Sequence, residues 1–501
     1  MSLRRNVIAN YLGQGWVAMM GLVFLPIYIR YLGVEAYGLI GLFAVMQAWL
    51  ALLDIGMTPT LGREMARFTA GAHSAQSIRD LLRSLELICF AMAIVICAAV
   101  WAASGWLASD WLKVEKLALQ IVRGAIAVMA FVVAFRFVEG IYRSALFGLQ
   151  RQVWYNGANA ALATIRNVGA LVVIGLVSPT IEAFFLWQAF VSMLSVVVFA
   201  CGVHRALPRA PARPKFSTDV LLGVWRFAGG MTGITLLSIL LTQIDKVLLS
   251  RLLALEAFGY YTLAATVSGA LYMVITPVTI ALFPRLVELV SQGDHDALAG
   301  AYHRGAQLVT MVTAPVAFLL AFFGEGVLFA WSGNVDLARN AGPILSALVL
   351  GTFLNGLMYV PYQLQLAHGW TSFALKINII AVALLVPTIF WVVPRHGALG
   401  AAWVWIALNA GYVLVGIQLM HRRLLPSEKW LWYARDVGLP VIGTAVTLIL
   451  ASYFRPETLS DRLAWLGFLG GALMAAFSVS VLSIRDLRMS LFLSIRRVTR
   501  A

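Results

Sequence analysis

Arg166 stands inside an apolar run, Ala163-Thr164-Ile165-Arg166-Asn167-Val168, where a charged side chain costs about 3 kcal/mol and needs a reason. At roughly 100° per residue, Asn156, Asn159, Arg166 and Asn167 share one face of a helix. A fixed cation on a wet helix face suits an anion such as a phosphate. An ion pair with a neighbouring helix is the other reading of the same arginine. The preceding run carries Arg123 toward one end, and Arg136, Glu139 and Arg143 at helical spacing toward the other. Arg136 and Glu139 are placed to pair along the helix, and Arg123 and Arg136 both also suit a cavity shared with Arg166. In the second run Gln47, Ala51, Asp54 and Thr58 line a narrow face. A carboxyl as deep as Asp54 needs a cation or a proton beside it, which makes it the candidate for ion coupling. In the seventh run Thr232, Thr235, Ser238, Thr242, Asp245 and Lys246 fall on one side. The adjacent Asp245 and Lys246 either neutralise each other or join in that coupling.

Enzyme chemistry has no comparable set. There is no Walker loop, and the seven histidines lack metal-ligand spacing. The three cysteines, Cys89, Cys97 and Cys201, lie in or at the ends of apolar runs, which speaks against a disulfide framework, and Cys89 and Cys97 read as small lipid-facing or packing residues. The chain is not expected to be an enzyme, and no metal or cofactor is expected.

The elements that must carry these residues are membrane helices. Of 501 residues, 61% are hydrophobic and 12% charged, with mean hydropathy +0.86, whereas a soluble domain carries about 25% charge. Apolar runs of roughly 20 residues recur, long enough to span ~30 Å of hydrocarbon. The pattern predicts an all-α polytopic membrane protein with helices at 9–30, 38–60, 81–104, 117–139, 155–177 and 180–202. A second half follows at 221–249, 259–283, 303–324, 341–366, 373–393 and 399–420, then a pair at 437–454 and 462–482. That makes about 14 spans. No small-residue cleavage site follows Met1-Ser2-Leu3-Arg4-Arg5, so the first run reads as a retained helix. The net charge of +15 comes from basic residues gathered at alternate helix ends. This places the N- and C-termini in the cytoplasm and points to lipid headgroups rather than nucleic acid.

One stretch is used twice. Arg30-Tyr31-Leu32-Gly33-Val34-Glu35-Ala36-Tyr37-Gly38 returns as Arg251-Leu252-Leu253-Ala254-Leu255-Glu256-Ala257-Phe258-Gly259. Each copy joins the first two helices of a half, so the halves read as parallel repeats with a substrate path between them. The organisation is then a six-helix lobe over 1–203, a Pro- and Arg-rich cytoplasmic linker over 204–220, a second lobe over 221–420, the extra pair over 437–482 and a basic tail over 484–501. The tail reads as an amphipathic helix on the inner leaflet or as a frayed basic end. Arg30 and Arg251 are expected at the outer rim as a gate, with Glu35 and Glu256 placed to pair with them.

Several motifs carry a family resemblance: Asn10-Tyr11-Leu12-Gly13-Gln14, Tyr28-Ile29-Arg30-Tyr31-Leu32-Gly33, Leu53-Asp54-Ile55-Gly56-Met57, Gly62-Arg63-Glu64 and Gly397-Ala398-Leu399-Gly400-Ala401-Ala402-Trp403. Together they resemble the O-antigen-type polysaccharide flippases of the multidrug/oligosaccharidyl-lipid/polysaccharide exporter superfamily. The resemblance implies two six-helix lobes in a V, related by pseudo-two-fold symmetry and alternately open to either side of a bacterial inner membrane. It also implies export of a polyprenyl-diphosphate-linked glycan for surface polysaccharide synthesis, with cavity arginines engaging the diphosphate. That expectation falls on Arg166, Arg123 and Arg136, with Asn159 and Gln47. The extra helix pair is similar to the added pair of lipid II flippases, where it shapes a groove for the lipid tail. Membrane lipid and polysaccharide polymerase or assembly proteins are the further partners such a role offers. Two other classes stay open: an ion-coupled multidrug or small-solute antiporter, and a membrane glycosyltransferase or polymerase, for which the outer loops are short.

Overall fold

The computed structural model describes residues 3–54, 56–69, 71, 73–209, 211–218 and 243–484. Thr232, Thr235, Ser238 and Thr242 of the seventh run, and the basic tail beyond Ile484, lie outside the described residues. Among the described residues, eleven helices are long and apolar enough to cross a membrane, and Val34–Trp49 is a shorter apolar helix. The protein is a multi-pass, all-helical membrane protein. The chain divides into two compact units, Met1–Gly259 and Tyr260–Ala501.

The first unit contains α1 (Leu3–Leu32), α2 (Val34–Leu53), α3 (Met57–Thr69), α4 (Ala75–Trp106), α5 (Leu119–Gly148), α6 (Gln152–Val172) and α7 (Ile181–Ala206). It ends in the first turn of α8 (Leu255–Gly269). Helix α5 is predominantly apolar and buries most of its middle, with Val122, Ile126, Met129, Val133 and Ile141 fully enclosed. It packs on α3, α4 and α7, through Leu61 and Met65, Ile78 and Leu82, and Phe199 and Val203 respectively.

The second predicted span does not run unbroken from 38 to 60. Helix α2 stops at Leu53 and α3 starts at Met57, because Gly56 adopts φ 72°, a conformation glycine takes without steric cost. Gln47 and Thr58 therefore belong to different helices rather than to one face.

The repeated turn is anchored by a carboxylate on amides. Glu35 does not pair with Arg30. Its oxygens accept the backbone N–H groups of Glu115 at 2.7 Å, Lys116 at 2.9 Å and Leu117 at 2.8 Å, in the segment between α4 and α5. The same segment holds the second copy. Leu255 N donates to Lys113 O at 2.8 Å, Lys113 Nζ to Leu252 O at 2.9 Å and Trp111 Nε1 to Ser250 Oγ at 3.1 Å. Glu256 pairs with Lys116, and Arg251 lies over the Trp111 ring at 5.1 Å. Both predicted Arg–Glu pairs are thus replaced, because the α4–α5 segment offers each glutamate a closer donor.

The Pro- and Arg-rich stretch after α7 is not a free spacer. It lies along the first turns of α4 as a strap, held by side chains one helical turn apart. Arg79 donates to Pro208 O at 2.7 Å and Leu207 O at 2.9 Å. Gln76 Oε1 accepts from Ala212 N, Asp80 Oδ1 from Lys215 N and Ser84 Oγ from Ser217 N, at 3.0, 2.8 and 2.9 Å.

The second unit contains the rest of α8, then α9 (Leu271–Gln292), α10 (His295–Phe322), α11 (Gly324–Ser332), α12 (Val335–Leu357), α13 (Tyr359–Ala367), α14 (Thr371–Gly411) and α15 (Ile417–Leu424). Helix α14 holds two of the predicted spans, separated at Gly397, whose φ 59° and ψ −147° break the helical path. The final pair, α16 (Leu439–Ser452) and α17 (Arg462–Leu482), is docked onto α10 and α11. Buried Asp436 accepts Gln307 Nε2 at 2.8 Å and pairs with His303, whose other nitrogen meets Glu428 at 3.0 Å. At the far end of the pair, Arg462 donates to Ala330 O at 2.6 Å and Trp331 O at 2.8 Å.

Candidate functional site

Helix α6 faces α1 through amides. Asn156 donates to Asn10 Oδ1 at 2.6 Å, and Asn10 donates to Gln152 Oε1 at 2.8 Å. Further along, Trp16 Nε1 reaches Thr164 Oγ1 at 2.9 Å, and Tyr28 OH reaches Asn167 Oδ1 at 3.0 Å. Asn156 and Asn167 are therefore inter-helix staples rather than parts of a wet face, since a buried amide needs a partner and α1 supplies one.

Arg166 turns toward α5 and α7 instead. Its Nη2 donates to Ser195 Oγ at 3.3 Å, and its buried Nε has no hydrogen-bond partner among the described residues. Arg136 on α5 pairs with Glu139 at 3.4 Å, and its Nε is likewise buried without a partner. Arg136, Glu139, Tyr155 and Tyr28 all lie within electrostatic reach of Arg166. Arg143, one turn beyond Glu139, acts on both Tyr155 and Asp54. Around Tyr155 and Arg166, Arg136 and Arg143 thus meet one carboxylate, Glu139, leaving more guanidinium than carboxylate among these groups. An unsatisfied buried donor costs about 1–3 kcal/mol. Two such N–H groups on neighbouring guanidiniums suit an anion with several oxygens, and a phosphate meets that requirement.

The other expected residues scatter. Arg123 is exposed beside Gly105 of α4, about 20 Å along α5 from Arg136 at roughly 1.5 Å per residue, and so does not join Arg166. Asn159 and Gln47 are half-buried on α6 and α2. Asp54 sits before α3 rather than inside a span. Its oxygens accept Thr58 N at 3.1 Å and Thr58 Oγ1 at 2.7 Å, the pattern of a helix cap. Arg30 is exposed at the end of α1. Asp245 and Lys246 lie in a helical stretch over 243–252, where Lys246 Nζ donates to Gln243 Oε1 at 3.3 Å rather than to Asp245. Sequence reasoning missed Ser195, Tyr155 and Tyr28, which are uncharged and occur in runs where hydroxyls are common. Among the described residues no group of three or more His, Cys, Asp or Glu is placed to hold a metal.

Residues 3–290 match the family described as polysaccharide biosynthesis protein. The chain is 21% identical to a putative O-antigen transporter of Shigella flexneri, over 81% of this chain and 94% of that one. It is 25% identical to the succinoglycan biosynthesis transport protein ExoT of Rhizobium meliloti (strain 1021), over 50% of this chain and 49% of that one. Among solved structures, the lipid II flippase MurJ in an inward closed conformation aligns with TM-score 0.67 and 13% identity, over 96% of this chain and 99% of that one. An inward-facing MATE-family multidrug resistance transporter aligns with TM-score 0.60 and 14% identity, over 85% and 95%. These structural likenesses show a shared fold.

Proposed function

The chain belongs to the polysaccharide biosynthesis protein family, and on that premise we propose that it flips a polyprenyl-diphosphate-linked oligosaccharide across the bacterial inner membrane. One observation carries the reading: the buried Nε–H groups of Arg136 and Arg166, without a partner among the described residues and set in a cluster with more guanidinium than carboxylate. A sugar headgroup crossing hydrocarbon needs polar walls, and its diphosphate needs fixed cations. A carrier of cationic drugs would need open carboxylates instead. Here Glu139 is taken by Arg136, and Asp54 by Thr58. The names of the Shigella and Rhizobium relatives, both transport proteins of polysaccharide synthesis, support the same substrate class.

In this account Arg136 and Arg166 hold the diphosphate, and Arg30 and Arg251 stand at the outer gate. The termini are cytoplasmic. Energy comes from an ion gradient or the membrane potential, since the chain has no nucleotide loop. Polymerising and assembly enzymes would take the product on the outer side. Loss of the gene, followed by analysis of lipid-linked glycans, tests the reading. One complete polyprenyl-diphosphate-linked repeat should accumulate while surface polysaccharide falls. An unchanged glycan pool with altered drug resistance would instead identify an antiporter.

A further inference from the structure

Helix α4 carries two hollows on one stripe. Near its first turns a hollow of about 260 Å³ is formed by Arg79, Leu82, Arg83, Glu86, His204 and Pro214. Beyond it, toward Trp106, a groove of about 460 Å³ is lined by Phe90, Ile94, Cys97 and Trp101 of α4 and by Phe131 and Phe135 of α5. From Arg79 to Trp101 the lining positions recur every three or four residues, so the two hollows lie end to end along one face of the helix. Tyr142 of α5 closes the junction by donating to Glu86 Oε1 at 3.0 Å.

The two ends differ in chemistry. The groove is apolar throughout and opens on α4 at exposed Phe90, Ile94, Ala98 and Trp101. The hollow has Arg79 and Arg83 in its wall, and the strap held along α4 by its backbone carries exposed Arg209, Arg213 and Lys215. The carboxylates there are already engaged: Glu86 by Tyr142, His204 and a long 3.7 Å pair with half-exposed Arg83, Asp80 by Gln76 and the Lys215 amide. A phosphate below and a hydrocarbon chain above complement this stripe.

Length selects the lipid. From Arg83 to Trp101 the helix rises about 27 Å at roughly 1.5 Å per residue. An ordinary acyl chain reaches only to the bilayer midplane, about half of ~30 Å. A chain filling the groove from a head at Arg83 must be longer than one leaflet, as a polyprenyl chain is.

We propose that this stripe of α4, with the strap, is an accessory docking site for the phosphate head and polyprenyl chain of the lipid carrier in the inner leaflet. The proposal rests on the flippase reading and adds a second site to it. Helix α5 stands between the two sites, with Phe131 and Phe135 in the groove and Arg136 in the cluster around Arg166. A carrier held on this stripe would lie one helix away from the diphosphate-binding arginines.

The test uses the full-length protein in phosphatidylcholine nanodiscs and an undecaprenyl diphosphate bearing a diazirine on its chain. After illumination, labelled peptides should map to α4 between Arg83 and Lys113. Unlabelled undecaprenyl diphosphate should displace the probe, while farnesyl diphosphate and phosphatidylglycerol should not. Ala98→Trp, at an exposed position that would fill the groove, and Arg83→Gln should each lower α4 labelling about tenfold, the weight of one lost charge-assisted contact in the second case. Labelling that persists in both folded variants, or that phosphatidylglycerol displaces equally, overturns the site. Labelling of α5 and α6 without α4 removes the accessory site and leaves the flippase reading standing. A probe that labels no part of the protein removes both.

Discussion

Gly38 and Leu255 are in backbone contact: a Cβ on Gly38 would stand 2.4 Å from the Leu255 carbonyl oxygen. The contact is reciprocal, since a Cβ on Gly259 would stand 2.5 Å from the carbonyl oxygen of Val34. In the repeat Val34 matches Leu255 and Gly38 matches Gly259, so each copy's glycine receives the other copy's carbonyl. The α4–α5 segment then ties both copies together through Glu35, Lys113 and Lys116.

Gly38→Ala and Gly259→Ala should each destabilise the protein by about 1–3 kcal/mol, because the clash is with backbone that cannot rotate away. The two changes disturb one contact, so the double variant should lose less than the sum. Thermal unfolding in detergent measures both. Strictly additive losses would mean that the two glycines act independently.

Asp54 separates a capping role from an ion-coupling role. Asn caps helices as well as Asp, whereas Ala costs about 1 kcal/mol. Asp54→Asn should therefore keep wild-type stability, and Asp54→Ala should lose that amount in the same unfolding measurement. Export assayed in the Asn variant then reads the carboxylate's charge alone. Capping predicts that export survives, and ion coupling predicts that it fails.

The helix pair α16–α17 should depend on the buried His303–Asp436 pair. Asp436→Ala leaves His303 without its closest partner and Gln307 without an acceptor, and should cost about 3–5 kcal/mol. Replacing His303 as well should recover part of that loss, which a double-mutant cycle on unfolding would show.

Much of the fold was legible because a hydrocarbon solvent imposes length and apolarity on every span, and α5 and α6 begin and end within a turn or two of expectation at most ends. The break at Gly56 escaped, since a single glycine inside an apolar run gives no periodic signal. The duplicated turn was legible as a sequence match, but its partners were not. Glu35 found backbone amides and Glu256 found Lys116, groups brought near by folding and remote in sequence. At the candidate site, Arg166 and Arg136 announced themselves by charge in an apolar setting. Arg123 carried the same signal, yet a position nearer the helix end leaves it exposed. The strap on α4 looked like a linker because Pro and Arg composition does not reveal which helix will bind its backbone.

The central claim is that the cations around Arg166 carry a lipid-linked diphosphate. It is tested most directly by reconstituting the protein in vesicles with a fluorescent polyprenyl-diphosphate oligosaccharide and following its transfer between leaflets with a membrane-impermeant quencher. The account predicts protein-dependent transfer that falls at least about tenfold in a correctly inserted Arg166→Ala variant, with partial retention in Arg166→Lys, which keeps the charge and loses the fork of donors. Transfer at the wild-type rate by Arg166→Ala would contradict it.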